Sequence, residues 1–113
     1  MAVLTPQDIV RTGLTPSFAA ATVTVGDTFV NDERCFARIK NASGGAITAA
    51  AQPTRLVDGL LPAPRTVNVP ATTGDVLIGP FPAADYNDTN NVVTIICSAV
   101  TSVTIAIIRL PRV

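Results

Sequence analysis

The sequence predicts an all-β protein: an antiparallel β-sandwich or jelly-roll-like barrel of about eight short strands, formed by a single domain. The chain has 113 residues, which is a common size for one domain with its own core. Charged residues make up only 14% of it, but its high content of Val and Ile is not found in disordered chains. Turn signals rich in Gly and Asn separate the short apolar runs, as they do in sandwiches and barrels.

The first 18 residues predict an arm that precedes the sandwich. The arm begins with residues typical of the start of a short helix that would end at Gly13. Thr5 would be the N-cap, Pro6 would lie in the first turn, and Asp8 would be the acid near the N-terminus. A segment of this length is not stable alone, so we expect it to pack, extended or as one helical turn, on its own sandwich or on a neighbouring molecule. The predicted organisation is an arm, a β-sandwich and a tail at residues 1–18, 19–109 and 110–113, which together form one domain over residues 1–113.

Short β-branched runs between the turn signals predict the strands. In the third of them, alternation places Cys35, Ala37 and Ile39 on an inner face and the intervening side chains toward solvent or a partner. Val67 and Val69 point inward in the fifth strand by the same rule. The predicted strands are residues 21–25, 28–30, 35–41, 46–51, 66–69, 75–78, 92–98 and 103–108.

The segment from residue 92 to residue 110 carries no charge before Arg109, and its length would suffice to cross a bilayer as a helix. Most of its apolar residues are β-branched, which favours two buried strands joined by a turn at residues 100–102. Both strands have apolar side chains on both faces, so we expect them to lie side by side at the centre of one sheet. The arm, a loop or another subunit would then cover them.

Two proline-rich segments, residues 53–65 and 79–91, are predicted to be loops, because proline cannot donate to a strand ladder. A stiff loop with apolar side chains loses little entropy on docking, so both loops are candidate adhesive surfaces. In the alternative interpretation, the apolar side chains turn inward and close the open ends of the sandwich. The side chains concerned are Leu60 and Leu61 in the first loop and Phe81 and Tyr86 in the second.

The sequence offers little for catalysis, so we predict that the protein is not an enzyme and has no catalytic residue, cofactor or metal. It contains no His, and its carboxylates fall in predicted turns and loops, where burial would not shift their pKa. Cys35 and Cys97 have no candidate base and are interpreted as buried thiols, with a disulfide as the alternative. The oxygen-rich run Asp85, Asn87, Asp88 and Asn90 lacks the spacing of a calcium loop and is interpreted as a turn.

Eight basic and eight acidic side chains cancel, so electrostatic binding to nucleic acid is not expected. The first residues lack a basic stretch followed by a long apolar stretch, which predicts synthesis in the cytoplasm. We therefore expect neither a nucleic acid nor a membrane among the partners.

Four segments carry a family resemblance: VLTPQDIVRTGLTPSF (residues 3–18), FARIKNASGGAITAAA (36–51), RTVNVP (65–70) and IGPFPAADYNDTNNVVTI (78–95). They are similar to the small auxiliary proteins of tailed-bacteriophage heads, which are described as decoration or cement proteins. The resemblance implies a virion structural protein with a β-sandwich or barrel fold. It would bind the major capsid protein on the outer capsid surface as a dimer or trimer and stabilise contacts between capsomers.

Two other functions remain open: a different virion component, such as a tail or fibre part, and a carbohydrate- or receptor-binding β-sandwich. Sugar sites usually present aromatic platforms, and this chain has no Trp, four Phe and one Tyr. For contact with a partner we expect three regions, of which the arm is the first choice because it has too little sequence to bury itself. The candidate residues are Ile9, Val10, Arg11 and Leu14 in the arm, Leu60, Leu61 and Arg65 in the first loop, and Phe81 and Tyr86 in the second.

Overall fold

Two five-stranded β-sheets pack face to face in the computed structural model, which describes residues 2–22 and 26–111. The β-sandwich predicted from the sequence is therefore confirmed. The strands are β1 (Ala2–Leu4), β2 (Gln7–Asp8), β3 (Ala19–Ala20), β4 (Asp27–Val30), β5 (Cys35–Asn41), β6 (Ile47–Ala51), β7 (Thr66–Val69), β8 (Gly74–Ile78), β9 (Val92–Cys97) and β10 (Val103–Arg109), with one short helix, α1 (Ala83–Tyr86).

The first sheet has the strand order β1-β4-β9-β6-β7, and the second has the order β2-β10-β5-β8 with β3 also paired to β10. Every predicted strand from residue 28 onward is present, with its ends within one residue of the prediction. The strand predicted at residues 21–25 lies partly outside the described residues. Alternation in β5 is also confirmed, since Cys35, Ala37 and Ile39 are fully buried whereas Lys40 is exposed.

The last two strands, β9 and β10, lie in different sheets, so the prediction that they are neighbours in one sheet is wrong. β9 runs between β4 and β6, and β10 runs between β5 and the short strands β2 and β3. Both are central, as predicted, and their inward residues Ile95 and Ile105 belong to one core cluster. An apolar alternation looks the same whether two strands are neighbours in a sheet or face each other across a core.

The arm is extended, which is one of the two forms expected, and residues 5–13 contain no helix, so the helical alternative is wrong. Instead, β1 pairs in parallel with β4 in the first sheet, and β2 pairs in parallel with β10 in the second. Two open sheet edges offer backbone partners to these residues, whereas a single helical turn is costly to nucleate. The arm therefore packs on its own sandwich, which was one of the two expected arrangements.

After β2 the chain folds back over the outer face of the second sheet, and we call residues 9–18 the strap. The Gln7 side chain closes it by donating to Ser17 O at 2.8 Å and accepting from Ser17 N–H at 2.9 Å. Next to Ser17, the centroid of the Phe18 ring lies 4.5 Å from Lys40 Nζ. Cover from the strap accounts for the burial of Ile108 on the outward face of β10.

Asp8 in β2 forms a two-pronged ion pair with Arg109 at the end of β10, in which the second contact, Nη2 to Oδ2, is 3.0 Å. The hydrogen bond from Arg109 lowers the pKa of the Asp8 carboxyl, although burial opposes it. Asp27 in β4 and Asp75 in β8 also lie in strands, which corrects the expectation that all carboxylates fall in turns and loops. Asp27 is only 1% exposed, and its Oδ2 accepts the Thr22 N–H at 3.1 Å.

The two cysteines are free and buried on the inner faces of the two sheets. Cys35 Sγ lies 3.8 Å from Val30 O, and Val30 pairs with Val92 at the start of β9. Cys97 is at the far end of the same strand, and five residues of strand span about 16 Å. A disulfide needs Cα atoms within about 7 Å of each other, so the buried-thiol interpretation holds.

We therefore expect neither thiol to react with a disulfide reagent in the native protein at pH 8, and both to react after unfolding. Burial raises the pKa of Cys35 and of Cys97 to about 11, which leaves about one thiolate in a thousand at that pH. Spectrophotometric thiol titration in buffer and in guanidinium chloride measures this difference. Rapid reaction of either cysteine under native conditions would contradict the assigned burial.

Candidate interaction surface

The two proline-rich loops, residues 53–65 and 79–91, contact each other at one end of the sandwich. Thr54 N–H donates to Asp85 O at 2.8 Å, and the Thr54 hydroxyl donates to Asn87 O at 2.6 Å. Arg55 forms an ion pair with the Asp85 carboxylate at 3.3 Å. Two of the three predicted contact regions are thus joined into one surface, which we call the two-loop surface.

Phe81 holds the second loop to the core and is not a surface residue. It is 3% exposed, and its ring centroid lies 5.8 Å from that of Phe29 and 5.6 Å from that of Tyr86. The inward alternative is therefore correct for Phe81, which leaves little of its ring exposed to a partner. Tyr86 is half-buried: it packs edge-on against Phe81 and also lines the surface hollows described below.

Asn31 holds the second loop in place through hydrogen bonds from its buried side chain. The sequence did not indicate this role. The buried side-chain amide of Asn31 donates to Phe81 O at 2.9 Å and to Asn87 Oδ1 at 2.7 Å. The Glu33 carboxylate accepts the N–H of Ala83 at 3.1 Å, at the start of α1. In the sequence, residues 31–33 read only as a polar turn, and the partner segment is 50 residues away.

The tip of the first loop is a small β-hairpin whose residues are all exposed, and we call residues 56–61 the apolar hairpin. Val57 and Leu60 exchange two backbone hydrogen bonds of 2.8 and 3.0 Å. Asp58 and Gly59 between them both have positive φ, 53° and 78°, as the tightest hairpin turns require. The exposed fractions are 59% for Leu56, 61% for Val57, 72% for Leu60 and 52% for Leu61.

Two shallow hollows of about 360 and 280 Å³ lie next to the base of the hairpin, and both are lined by Arg65, Asp85 and Tyr86. Arg65 is exposed and, within the described residues, pairs with no carboxylate. An unpaired guanidinium beside an aromatic ring is a residue combination that is common at the centre of protein interfaces.

The third predicted region, the arm, lies apart from the two-loop surface. Ile9, Val10 and Leu14 on the strap line a hollow of about 400 Å³ on the outer face of the second sheet, which we call the groove. Arg11 next to them is exposed. The groove is lined by no residue of either loop, so the predicted contact residues of the arm and of the loops line different hollows.

The oxygen-rich run at residues 85–90 is used to shape the second loop. Asp88 Oδ1 accepts the N–H groups of Asn90 at 2.8 Å and Val92 at 3.1 Å. Asp85 pairs with Arg55, and Asn87 with Asn31. Across residues 2–22 and 26–111, no group of three or more Cys, Asp and Glu side chains is arranged to hold a metal ion.

The described part of the chain contains no helix that is long and apolar enough to span a membrane. The β-sandwich carries three candidate contact features: the apolar hairpin, the two-loop surface around Tyr86 and the groove beneath the strap. The chain matches no protein-family model, no curated protein and no solved structure.

Proposed function

We propose that this chain is a virion structural protein that binds the outer surface of a phage capsid and stabilises contacts between capsomers, as a decoration or cement protein. The observation that carries this proposal is the joining of two proline-rich loops into one surface around Arg65 and Tyr86. The resemblance to auxiliary head proteins implies that the partner is the major capsid protein and that binding takes place on the outer capsid surface.

The physical basis of the proposal is the low entropy cost of docking. Prolines and the hydrogen bonds between Thr54 and residues 85–87 hold both loops before any partner arrives. A single small contact would be weak, but copies that each touch more than one capsid subunit gain avidity on a lattice. Many weak contacts of this kind would hold capsomer boundaries closed.

Arg65→Glu is expected to lower binding to capsids that lack the protein at least about tenfold, because hot-spot arginines carry a large share of interface energy. Co-sedimentation of purified protein with such capsids measures the affinity. Lys40→Glu is the matched control: it makes the same charge change at an exposed site on the second sheet, and its binding should stay near wild type. Equal binding by the Arg65 variant and the wild type would contradict the assigned surface.

A second candidate is a carbohydrate- or receptor-binding module, and one observation favours it. Tyr86 lies between the two hollows beside Arg65 and Asp85, so that an aromatic ring, a cation and a carboxylate converge, as they do in many sugar sites. Binding to a glycan array that is lost in Tyr86→Phe or Arg65→Glu, without any binding to capsids, would replace the first proposal by this one. The same surface could also serve a tail or fibre component, which binding to purified tails in place of heads would identify.

A further inference from the structure

We propose that the apolar hairpin of one copy docks in the groove of a second copy, so that the chain associates with itself head to tail. This inference assigns the contact surfaces of the expected homo-oligomer. It does not depend on capsid binding, because the contact lies between copies of the chain alone.

The groove is apolar and preformed. It opens between the strap and the outward residues of β5, β8 and β10, with a volume of about 400 Å³. Leu77 on β8 is 61% exposed at its margin, and Phe36 and Ile108 form its floor. Arg38 and Asp75 in its wall neutralise each other through two hydrogen bonds of 2.9 and 2.6 Å. The groove therefore suits apolar side chains.

The apolar hairpin has the matching chemistry. Its four apolar side chains are all more than half exposed, and its two-residue turn places Val57 and Leu60 opposite each other at the tip of the loop. Burial of apolar surface is the main source of association energy, and a rigid hairpin loses little entropy on insertion. No hairpin residue lines the groove of its own chain, so a hairpin that occupied the groove would come from another molecule.

Charge supports a second copy as the occupant. Within residues 2–22 and 26–111, three charged side chains have no hydrogen bond, ion pair or ring contact: Arg11, Asp58 and Arg65. Asp58 is the tip of the hairpin, and Arg11 follows Val10 on the strap beside the groove. Docking would bring this unpaired anion toward this unpaired cation, which attracts the two copies and fixes their orientation.

The contact is heterologous, because the hairpin and the groove are different surfaces. The hairpin belongs to the connection between β6 and β7 of the first sheet, whereas the groove lies on the outer face of the second. Each copy can therefore give one hairpin and receive one. Such contacts produce closed rings when the rotation closes and open chains when it does not.

Mixing two variants tests this arrangement. Leu60→Asp disables the hairpin and Leu77→Asp disables the groove, and each variant alone should stay monomeric in sedimentation velocity while the wild type associates. Their mixture should form dimers and nothing larger, since only one intact hairpin and one intact groove remain per pair. Val10→Asp replaces Leu77→Asp if the latter fails the circular dichroism check of folding. A wild type that stays monomeric up to about 1 mM, or a mixture that stays monomeric, would overturn the proposal.

Charge removal tests the orientation. Asp58→Asn, which keeps a residue suited to the positive φ of this turn, and Arg11→Gln should each weaken self-association about fivefold, and the double variant should be no weaker than either single variant because both remove the same ion pair. Arg65→Glu should leave self-association unchanged even though it weakens capsid binding, so the two proposals can fail separately. Losses that add in the double variant would show that Asp58 and Arg11 do not face each other.

Discussion

Phe81→Ala is expected to lower the free energy of unfolding by about 3–5 kcal/mol, the range for removal of a fully buried aromatic ring. The Phe81 ring is 3% exposed and lies between the rings of Phe29 and Tyr86. Its removal leaves a cavity beneath the two-loop surface and takes away a packing partner of Tyr86. Urea unfolding followed by circular dichroism measures the loss.

Phe18→Ala is the matched control for this prediction. Phe18 is half-buried on the strap and contacts Lys40 and Arg38 through its ring face, so its loss should cost only about 1 kcal/mol. If the two variants lose similar stability, Phe81 does not fill the core as described. Capsid binding should also fall in the Phe81 variant, because the second loop depends on this ring for its position.

Deletion of residues 2–18 is expected to lower the free energy of unfolding by more than about 3 kcal/mol, a large part of the stability of a domain of this size. The deletion removes β1 and β2 and the Asp8–Arg109 ion pair, and it uncovers Ile108. It also leaves β4, and β10 at Ile108 and Arg109, with open edges, which promote aggregation. Thermal unfolding and light scattering of the truncated protein measure both effects.

Gln7→Ala distinguishes the contribution of the strap to stability from that of strands β1 and β2. It removes the two hydrogen bonds to Ser17 but leaves the pairing of β1 and β2 in place, so it should cost only about 1 kcal/mol. A truncated protein as stable as the full chain would mean that the arm contributes little to the monomer. Its role would then lie in contacts with other molecules, as the sequence alone suggested.

Most strands from β4 onward were predictable because they are short runs between turn signals with alternating burial, of which Cys35, Ala37 and Ile39 in β5 are the clearest example. Alternation fixes which side chain points inward, but it does not say which strands are neighbours. That is why β9 and β10 were wrongly placed in one sheet. The arm was misread for a related reason: Thr5 and Pro6 fit a helix start locally, but pairing with β4 and β10 satisfies more backbone groups.

The candidate surface was predictable only in parts. Proline content indicated both loops, and apolar residues indicated the hairpin, of which Leu60 and Leu61 are exposed as expected. The contact between the loops joins Thr54 and Arg55 to Asp85, about 30 residues further along the chain. No local sequence pattern indicates this contact. Asn31 was missed for the same reason, since a buried amide bound to a distant carbonyl leaves no periodic trace in a sequence.

The position of the arm has a mechanical consequence for the sandwich. At one margin β7 continues into β8 through residues 70–73, so the chain itself ties the first sheet to the second. At the opposite margin β1 and β2, separated only by Thr5 and Pro6, tie the same two sheets together. The two sheets therefore cannot separate at either margin unless strand pairing is broken. A tensile force applied at one margin is transmitted through both sheets to the other.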